Sequence, residues 1–226
     1  MITLFSPKFC KIVCNWITRW LTPAVWLLLP ITVATIILSP ADMTQGEVVR
    51  ILYLHVPMAF ASLALFLVVA VMSSLSWVFH LKVARHLASI SAEVGFACAL
   101  VTLISGSTWG AFTWGDWWVW DARLTTFLML ALIYSAFIVM DRSVREYKAS
   151  EKTLVVLAWV GMIDIVLVHF SVTWWQSLHQ QSTLLNLSQN TMPWSMLGPL
   201  VLSMLLLGFC IVVYMARKLS QQMGWV

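Results

Sequence analysis

The chain has 226 residues, of which 61% are hydrophobic and only 10% are charged, and its mean hydropathy is +0.90. This composition excludes an ordinary soluble domain and indicates a membrane protein. Although the pI is about 9.0, the basic residues are not clustered on an exposed domain, so nucleic acid is excluded as a partner. The four cysteines form no Cys-x-x-Cys motif, which argues against a disulfide scaffold or a zinc finger.

Six apolar stretches are long enough to cross the hydrocarbon core of a bilayer, which takes about 20 residues of helix. They predict an all-α membrane protein with one six-span domain over residues 1–226. In chain order the predicted spans cover roughly 20–41, 51–79, 87–108, 123–141, 153–173 and 194–215. Residues 174–193 are uncharged but rich in Gln, Asn, Ser and Thr, so this segment is predicted to be a loop.

The distribution of Lys and Arg predicts the orientation, because short cytoplasmic loops hold most of the positive residues. Eleven of the thirteen fall in the two termini and in the second-to-third and fourth-to-fifth connections. Both termini are therefore expected in the cytoplasm. Only Arg50 and Arg123 fall on the other side, where three loops cover roughly 40–50, 107–123 and 174–193.

The second outer loop contains an unusual run of tryptophans, WGDWWVWDARLT. Tryptophan normally forms a belt at both membrane interfaces, yet eight of the fourteen here lie on the outer face. For Trp109, Trp174 and Trp194 such a belt is an equally good interpretation. The densest part of the run offers large flat indole faces to a planar aromatic ligand. Its members are Trp114, Trp117, Trp118 and Trp120.

Two charged residues follow this run directly. Asp121 precedes the fourth span and is predicted to cap the first free backbone N–H groups of that helix. Arg123 can be interpreted as a side chain that reaches for the membrane interface. A planar guanidinium also binds a carboxylate through two hydrogen bonds, and we favour this role because basic residues are rare on the outer face. The ligand is therefore predicted to carry an anionic group.

Two histidines are predicted at similar depth in the outer part of the membrane. His55 lies near the outer end of the second span, and His169 near the outer end of the fifth. Ionisable groups inside spans are costly and are candidates for function. Because haem iron takes neutral imidazole as an axial ligand, the pair predicts bis-histidine haem binding. His179, in the third outer loop, is interpreted as a solvated residue.

Glu93 and Asp164 are the remaining ionisable residues within predicted spans. Each is expected to hydrogen bond to a neighbouring helix, as polar residues commonly do in membrane bundles. Neither is assigned a ligand role.

These motifs together resemble the haem exporter protein C family, CcmC, of the bacterial cytochrome c maturation system. The resemblance covers nearly the whole chain and rests on YLHVP around His55, on the WGDWWVWDARLT block and on VHFSVTWWQSLHQ around His169. It implies a periplasmic site for non-covalent, transferable haem b. Within that site, His55 and His169 are implied to be axial ligands, Asp121 to belong to the signature block, and Arg123 to lie at the haem edge.

The resemblance also implies location and partners. The chain is expected in the bacterial inner membrane, where it delivers haem to the haem chaperone CcmE. The other implied partners are the ABC transporter subunits CcmA and CcmB, the small membrane subunit CcmD and the lipid bilayer. The larger haem lyases of this pathway share the tryptophan block but generally have more spans, and 226 residues leave no room for them.

Two other functions remain open on the residues alone. A cytochrome b-like electron carrier is one, although it would need histidine pairs stacked across the bilayer. A structural subunit that uses the tryptophan loop as a docking surface is the other, because exposed Trp and Arg are typical of binding hot spots. As a haem transport and delivery subunit, the protein is not expected to be an enzyme. No nucleotide-binding P-loop is found in the sequence, so any ATP-driven step is assigned to a partner.

Overall fold

The computed structural model describes residues 5–147, 150–175 and 192–225. Within them, six α-helices are long and apolar enough to cross a membrane, which confirms the predicted all-α, six-span class. A short 3₁₀ turn at Glu47–Ile51 precedes the second helix. The helices are α1 (Pro7–Ile37), α2 (Leu52–Phe79), α3 (Lys82–Thr113), α4 (Ala122–Tyr147), α5 (Lys152–Trp174) and α6 (Trp194–Gln222).

The first helix begins well before the predicted span. Ser6 caps it by accepting a hydrogen bond from the backbone N–H of Phe9, and Pro7 follows at a position where its missing N–H costs nothing. Basic residues mark the edge of the apolar stretch, but they do not end a helix. At its other end α1 stops at Ile37, earlier than the predicted residue 41.

Helices α2 to α5 form the centre of the bundle, where α2 packs against both α3 and α5, and α4 packs against α3 and α5. The turn between α2 and α3 is tight because His80 adopts the left-handed conformation, with φ of 54°. Helix α6 packs on α2 and α3, and α1 packs mainly on α6. The apolar core lies among α2, α3, α4 and α5.

One glycine sets the register between α5 and its neighbours. At Gly161 the ring of Phe66, from α2, fills the space that a Cβ atom would occupy, and Cγ2 of Ile133, from α4, lies 3.1 Å from that point. Phe66 is fully buried. Neither contact leaves room for a side chain at residue 161. Gly161 therefore fixes the level at which α2, α4 and α5 meet.

The bundle has two ends that differ in chemistry. We call the end where α3 stops and α4 begins the tryptophan end, since residues 109–120 lie there. The opposite end, where α2 stops and α3 begins, we call the arginine end. There Arg85 pairs with both Asp141, at 3.5 Å, and Glu151. Arg145 also pairs with Asp141, and Ser76 donates to Glu151 at 2.7 Å, so these groups join α2, α3, α4 and the start of α5.

The two acids predicted to hydrogen bond across helices differ in the structure. Glu93 does so, since its carboxylate lies 3.0 Å from the Lys218 ammonium of α6. For Asp164 the prediction was wrong. Its side chain is buried on the packed face of α5, and neither carboxylate oxygen has a hydrogen-bond partner within the described residues.

Candidate functional site

His55 lies in the first turn of α2, at the tryptophan end, and is half-buried. Its Nδ1 lies 3.1 Å from the Ser105 hydroxyl of α3. The indole of Trp109 meets the imidazole edge to face, with ring centroids 5.8 Å apart. The Ser105 hydroxyl at Nδ1 and the Trp109 ring contact together hold the orientation of the His55 imidazole.

Gly106 provides the room that this imidazole occupies. A Cβ atom at residue 106 would lie 2.9 Å from Cε1 and 3.4 Å from Nδ1 of His55. Those distances are shorter than ordinary van der Waals contact, so any larger residue must displace the ring. The close packing of α2 against α3 at this point therefore depends on glycine.

The haem-ligand role that the resemblance implies for His55 predicts that Gly106→Val lowers the fraction of purified protein that retains haem, because valine displaces the His55 imidazole from its present orientation. The absorption spectrum and a haem assay on the purified protein measure this. Gly208→Val is the matched control, since nothing lies within 4 Å of a Cβ built at Gly208. Equal haem retention in both variants would contradict a role for His55 in its present orientation.

A short turn outside the helices supports Trp109. The indole N–H of Trp109 donates to the side-chain oxygen of Gln45 at 2.8 Å. Gln45 is held in turn by Asp42, whose carboxylate accepts from the Thr44 hydroxyl and from the backbone N–H groups of Gln45 and Thr44. These hydrogen bonds hold the pKa of the Asp42 carboxyl below its usual range. Gly46 closes the turn with φ of 58°.

Sequence reasoning missed these supporting residues. Ser105 is one serine within a predicted span, and Gln45 is one amide in a short polar loop. Neither residue belongs to a motif whose spacing indicates its partner. Only the packing of the 38–46 segment over the end of α3 brings Gln45 to Trp109.

The predicted tryptophan cluster occupies the segment between α3 and α4. Trp114 packs against Gly110, where a Cβ atom would lie 3.1 Å from the indole ring. Trp118 and Trp120 meet edge to face with centroids 5.5 Å apart. Trp117 and Trp120 are 66% and 76% exposed, so their apolar faces are available to a ligand or a partner. The N–H group of Trp118 is buried and has no hydrogen-bond partner within the described residues.

Asp121 and Arg123 follow at the start of α4. The Asp121 carboxylate accepts from the backbone N–H groups of Arg123, at 2.9 Å, and Leu124, at 3.1 Å. The predicted capping role is therefore confirmed, and it explains why α4 begins at Ala122. Arg123 is half-buried beside this cap. Its position joins the tryptophan segment to the bundle.

His169 lies on the exposed side of α5, about one and a half turns before the end of the helix. Its imidazole meets the Phe170 ring edge to face at 4.8 Å. Phe170 stacks on Trp174, with centroids 4.9 Å apart and an angle of 12°. An aromatic row thus leads from His169 to the tryptophan end. His179 lies outside the described residues.

The register at Gly161 relates the two histidines. Helices α2 and α5 are antiparallel, and a helix rises about 1.5 Å per residue. From the Phe66–Gly161 contact, His55 lies about 16 Å and His169 about 12 Å toward the tryptophan end. The two residues therefore lie at nearly the same level of neighbouring helices, with the His169 side chain on the exposed side of α5. A porphyrin with two axial histidines requires this kind of match.

Comparison with known proteins identifies the family. The family model described as Heme exporter protein C matches residues 1–223. The chain belongs to the Heme exporter protein C family. It is 34% identical to Heme exporter protein C of Escherichia coli (strain K12) over 199 residues, which cover 84% of this chain and 80% of that protein.

Two further relatives carry the same name. The protein from Bradyrhizobium diazoefficiens is 33% identical over 201 residues, which cover 89% of this chain and 76% of the relative. The protein from Haemophilus influenzae is 34% identical over 165 residues, covering 73% of this chain and 67% of the relative. Membership of the Heme exporter protein C family makes this chain a multi-pass membrane protein of haem transport and c-type cytochrome biogenesis.

Proposed function

We propose that this protein binds haem b non-covalently at its tryptophan end and delivers it to a periplasmic haem chaperone for c-type cytochrome assembly. The matched level of His55 and His169 on neighbouring helices carries the proposal. In it, the two imidazoles hold the iron and Arg123 binds a propionate. The porphyrin faces are covered by Trp114, Trp117, Trp118 and Trp120.

The donor set at this end fits haem. Haem needs only axial ligands from the protein, and the described residues contain no group of three or more His, Cys, Asp or Glu that could hold a bare metal ion. Neutral imidazole is a common axial ligand of haem iron. The buried N–H of Trp118 is a further donor suited to a carboxylate edge.

The proposed orientation places the tryptophan end in the periplasm and the arginine end in the cytoplasm. Lys82 and Arg85 lie at the start of α3, and Arg142 and Arg145 near the end of α4, so these basic residues share the arginine end. Short loops with this excess of positive charge stay in the cytoplasm. The membrane is then the bacterial inner membrane, and both termini are cytoplasmic.

Hand-over requires that one protein ligand of the iron be replaced by a ligand of the acceptor. His169 suits this step because its side chain is exposed, whereas His55 is held between Ser105 and Trp109. The exposed faces of Trp117 and Trp120 offer the acceptor an apolar surface beside the site. CcmE is the proposed acceptor, and CcmA, CcmB and CcmD are the proposed further partners, with ATP hydrolysis assigned to the transporter.

Single substitutions of the two histidines test the ligand assignment. The wild-type protein purified with haem is expected to show a low-spin spectrum, and His55→Ala and His169→Ala are each expected to lose it because one axial ligand is removed. His86→Ala is the matched control, since His86 lies on α3 at the arginine end, bonded to Gln222. Unchanged low-spin spectra in both His55→Ala and His169→Ala would overturn the assignment.

A further inference from the structure

Asp164 is a buried acid that the proposed haem site does not use. It is 3% exposed, and both of its carboxylate oxygens lack a hydrogen-bond partner within the described residues. An ionised carboxylate in such surroundings is unfavourable, because burial removes its hydration and nothing replaces it. These surroundings therefore favour the neutral, protonated form of the carboxyl group.

The surroundings of Asp164 follow from the register at Gly161. Asp164 lies about 4.5 Å from Gly161 along α5, toward the tryptophan end. The neighbouring positions at this level are close to Leu130 of α4, which belongs to the apolar core, and to Leu63 of α2, which packs against that core. The hydroxyl of the nearby Ser62 is also buried and without a hydrogen-bond partner among the described residues.

Few titratable groups face Asp164 from the two helices packed on α5. On α2 they are Tyr53 and His55, both nearer the tryptophan end. On α4, Tyr134 is the nearest, and its hydroxyl donates to the backbone carbonyl of Ser62 at 2.6 Å. The other titratable groups of α4 lie toward its ends: Arg123 at one, and Asp141, Arg142, Arg145, Glu146 and Tyr147 at the other.

The charge of the proposed haem affects the ionisation of the Asp164 carboxyl group. His169 lies about 7.5 Å beyond Asp164 along the same helix. Ferric haem held by two neutral imidazoles has a net positive iron–porphyrin centre, whereas the ferrous centre is neutral. Charges interact strongly through a low-dielectric interior. An ionised Asp164 is therefore stabilised by ferric haem and not by ferrous haem.

We propose that Asp164 is a proton-binding site that makes this protein bind ferric haem in preference to ferrous haem. This inference rests on the proposed haem site at His55 and His169. The Asp164 carboxylate takes up one proton from water for each electron that an external one-electron reductant gives the iron, and it releases that proton when the iron is reoxidised. No bond to the iron is made or broken by Asp164.

The midpoint potential of the haem-loaded protein, measured by redox titration at several pH values, tests the proposal. The potential of the wild-type protein is expected to fall as pH rises. In Asp164→Asn the potential is expected to be higher, and the part of its pH dependence due to this carboxyl group is expected to vanish. Asp164→Glu is the matched variant and is expected to keep that dependence. Identical potentials and pH dependence in wild type and Asp164→Asn would overturn the proposal.

A haem-free measurement separates this inference from the proposed function. The infrared difference spectrum between the wild-type and Asp164→Asn proteins is expected to contain the C=O band of a protonated carboxylic acid, and a missing band would also overturn the proposal. If His55→Ala and His169→Ala both keep the low-spin spectrum, the haem-site assignment fails while this band still reports the Asp164 proton. If the histidine variants lose the low-spin spectrum but Asp164→Asn leaves the midpoint potential unchanged, the haem-site assignment holds and only the role of Asp164 is overturned.

Discussion

Arg85→Met is expected to lower the free energy of unfolding by about 3–5 kcal/mol, because it removes a cation that lies against both Asp141 and Glu151. Asp141 is buried, so its charge depends on its partners for compensation. After the substitution, Asp141 keeps Arg145, but Glu151 loses its ion pair and keeps the Ser76 hydroxyl. Two carboxylates then remain close together with less positive charge between them.

Unfolding of the purified protein in mixed detergent micelles measures this loss. Lys82→Met is the matched control, since Lys82 begins the same helix but its side chain is exposed. Adding Glu151→Gln to Arg85→Met is expected to restore part of the stability, because the carboxylate that has lost its ion pair is then uncharged. If Arg85→Met and Lys82→Met have the same free energy of unfolding, the ion pairs of Arg85 do not stabilise the fold.

Gly161→Leu is expected to lower the free energy of unfolding by about 1–3 kcal/mol or more, because the new side chain competes with the Phe66 ring for one space. The strain also reaches the proposed site. Pushing α5 away from α2 changes the distance between His169 and His55, so haem retention is expected to fall together with stability.

Both quantities can be followed on one sample, by detergent unfolding and by the absorption spectrum. Gly198→Leu is the control, because a Cβ atom at Gly198 meets nothing within 4 Å. Pairing Gly161→Leu with Phe66→Ala is expected to recover stability, since the second change empties the contested space. If Gly161→Leu behaves like Gly198→Leu, the register does not depend on this contact.

The six helices could be predicted from hydropathy because only apolar stretches of sufficient length cross a bilayer. Their ends could not. Helix α1 extends over Lys8, Lys11 and Arg19, and α3 continues to Thr113 into the predicted outer loop, because charge and polarity end a membrane span but not a helix. Local signals such as the Ser6 cap and the Asp121 cap decide the true boundaries.

Residue type and predicted depth in the membrane select His55, His169 and the tryptophan run as candidates, and their haem-binding role stays a prediction. The cap formed by Asp121 was predicted from its place before an apolar helix and is confirmed. The partners of His55 could not be selected, since Ser105 and Gly106 are ordinary small residues of a membrane helix. Asp164 was misjudged because the sequence does not tell which side chains its carboxylate faces.

The order of helix packing has a consequence for biosynthesis. Helix α1 leaves the ribosome first, yet it packs mainly on α6, which leaves last, and Arg217 of α6 donates to the Thr22 hydroxyl of α1 at 3.1 Å. During translation α1 lies in the lipid without α6 while α2 to α5 assemble. A nascent chain cut short before Trp194 therefore holds α1 without its main docking partner.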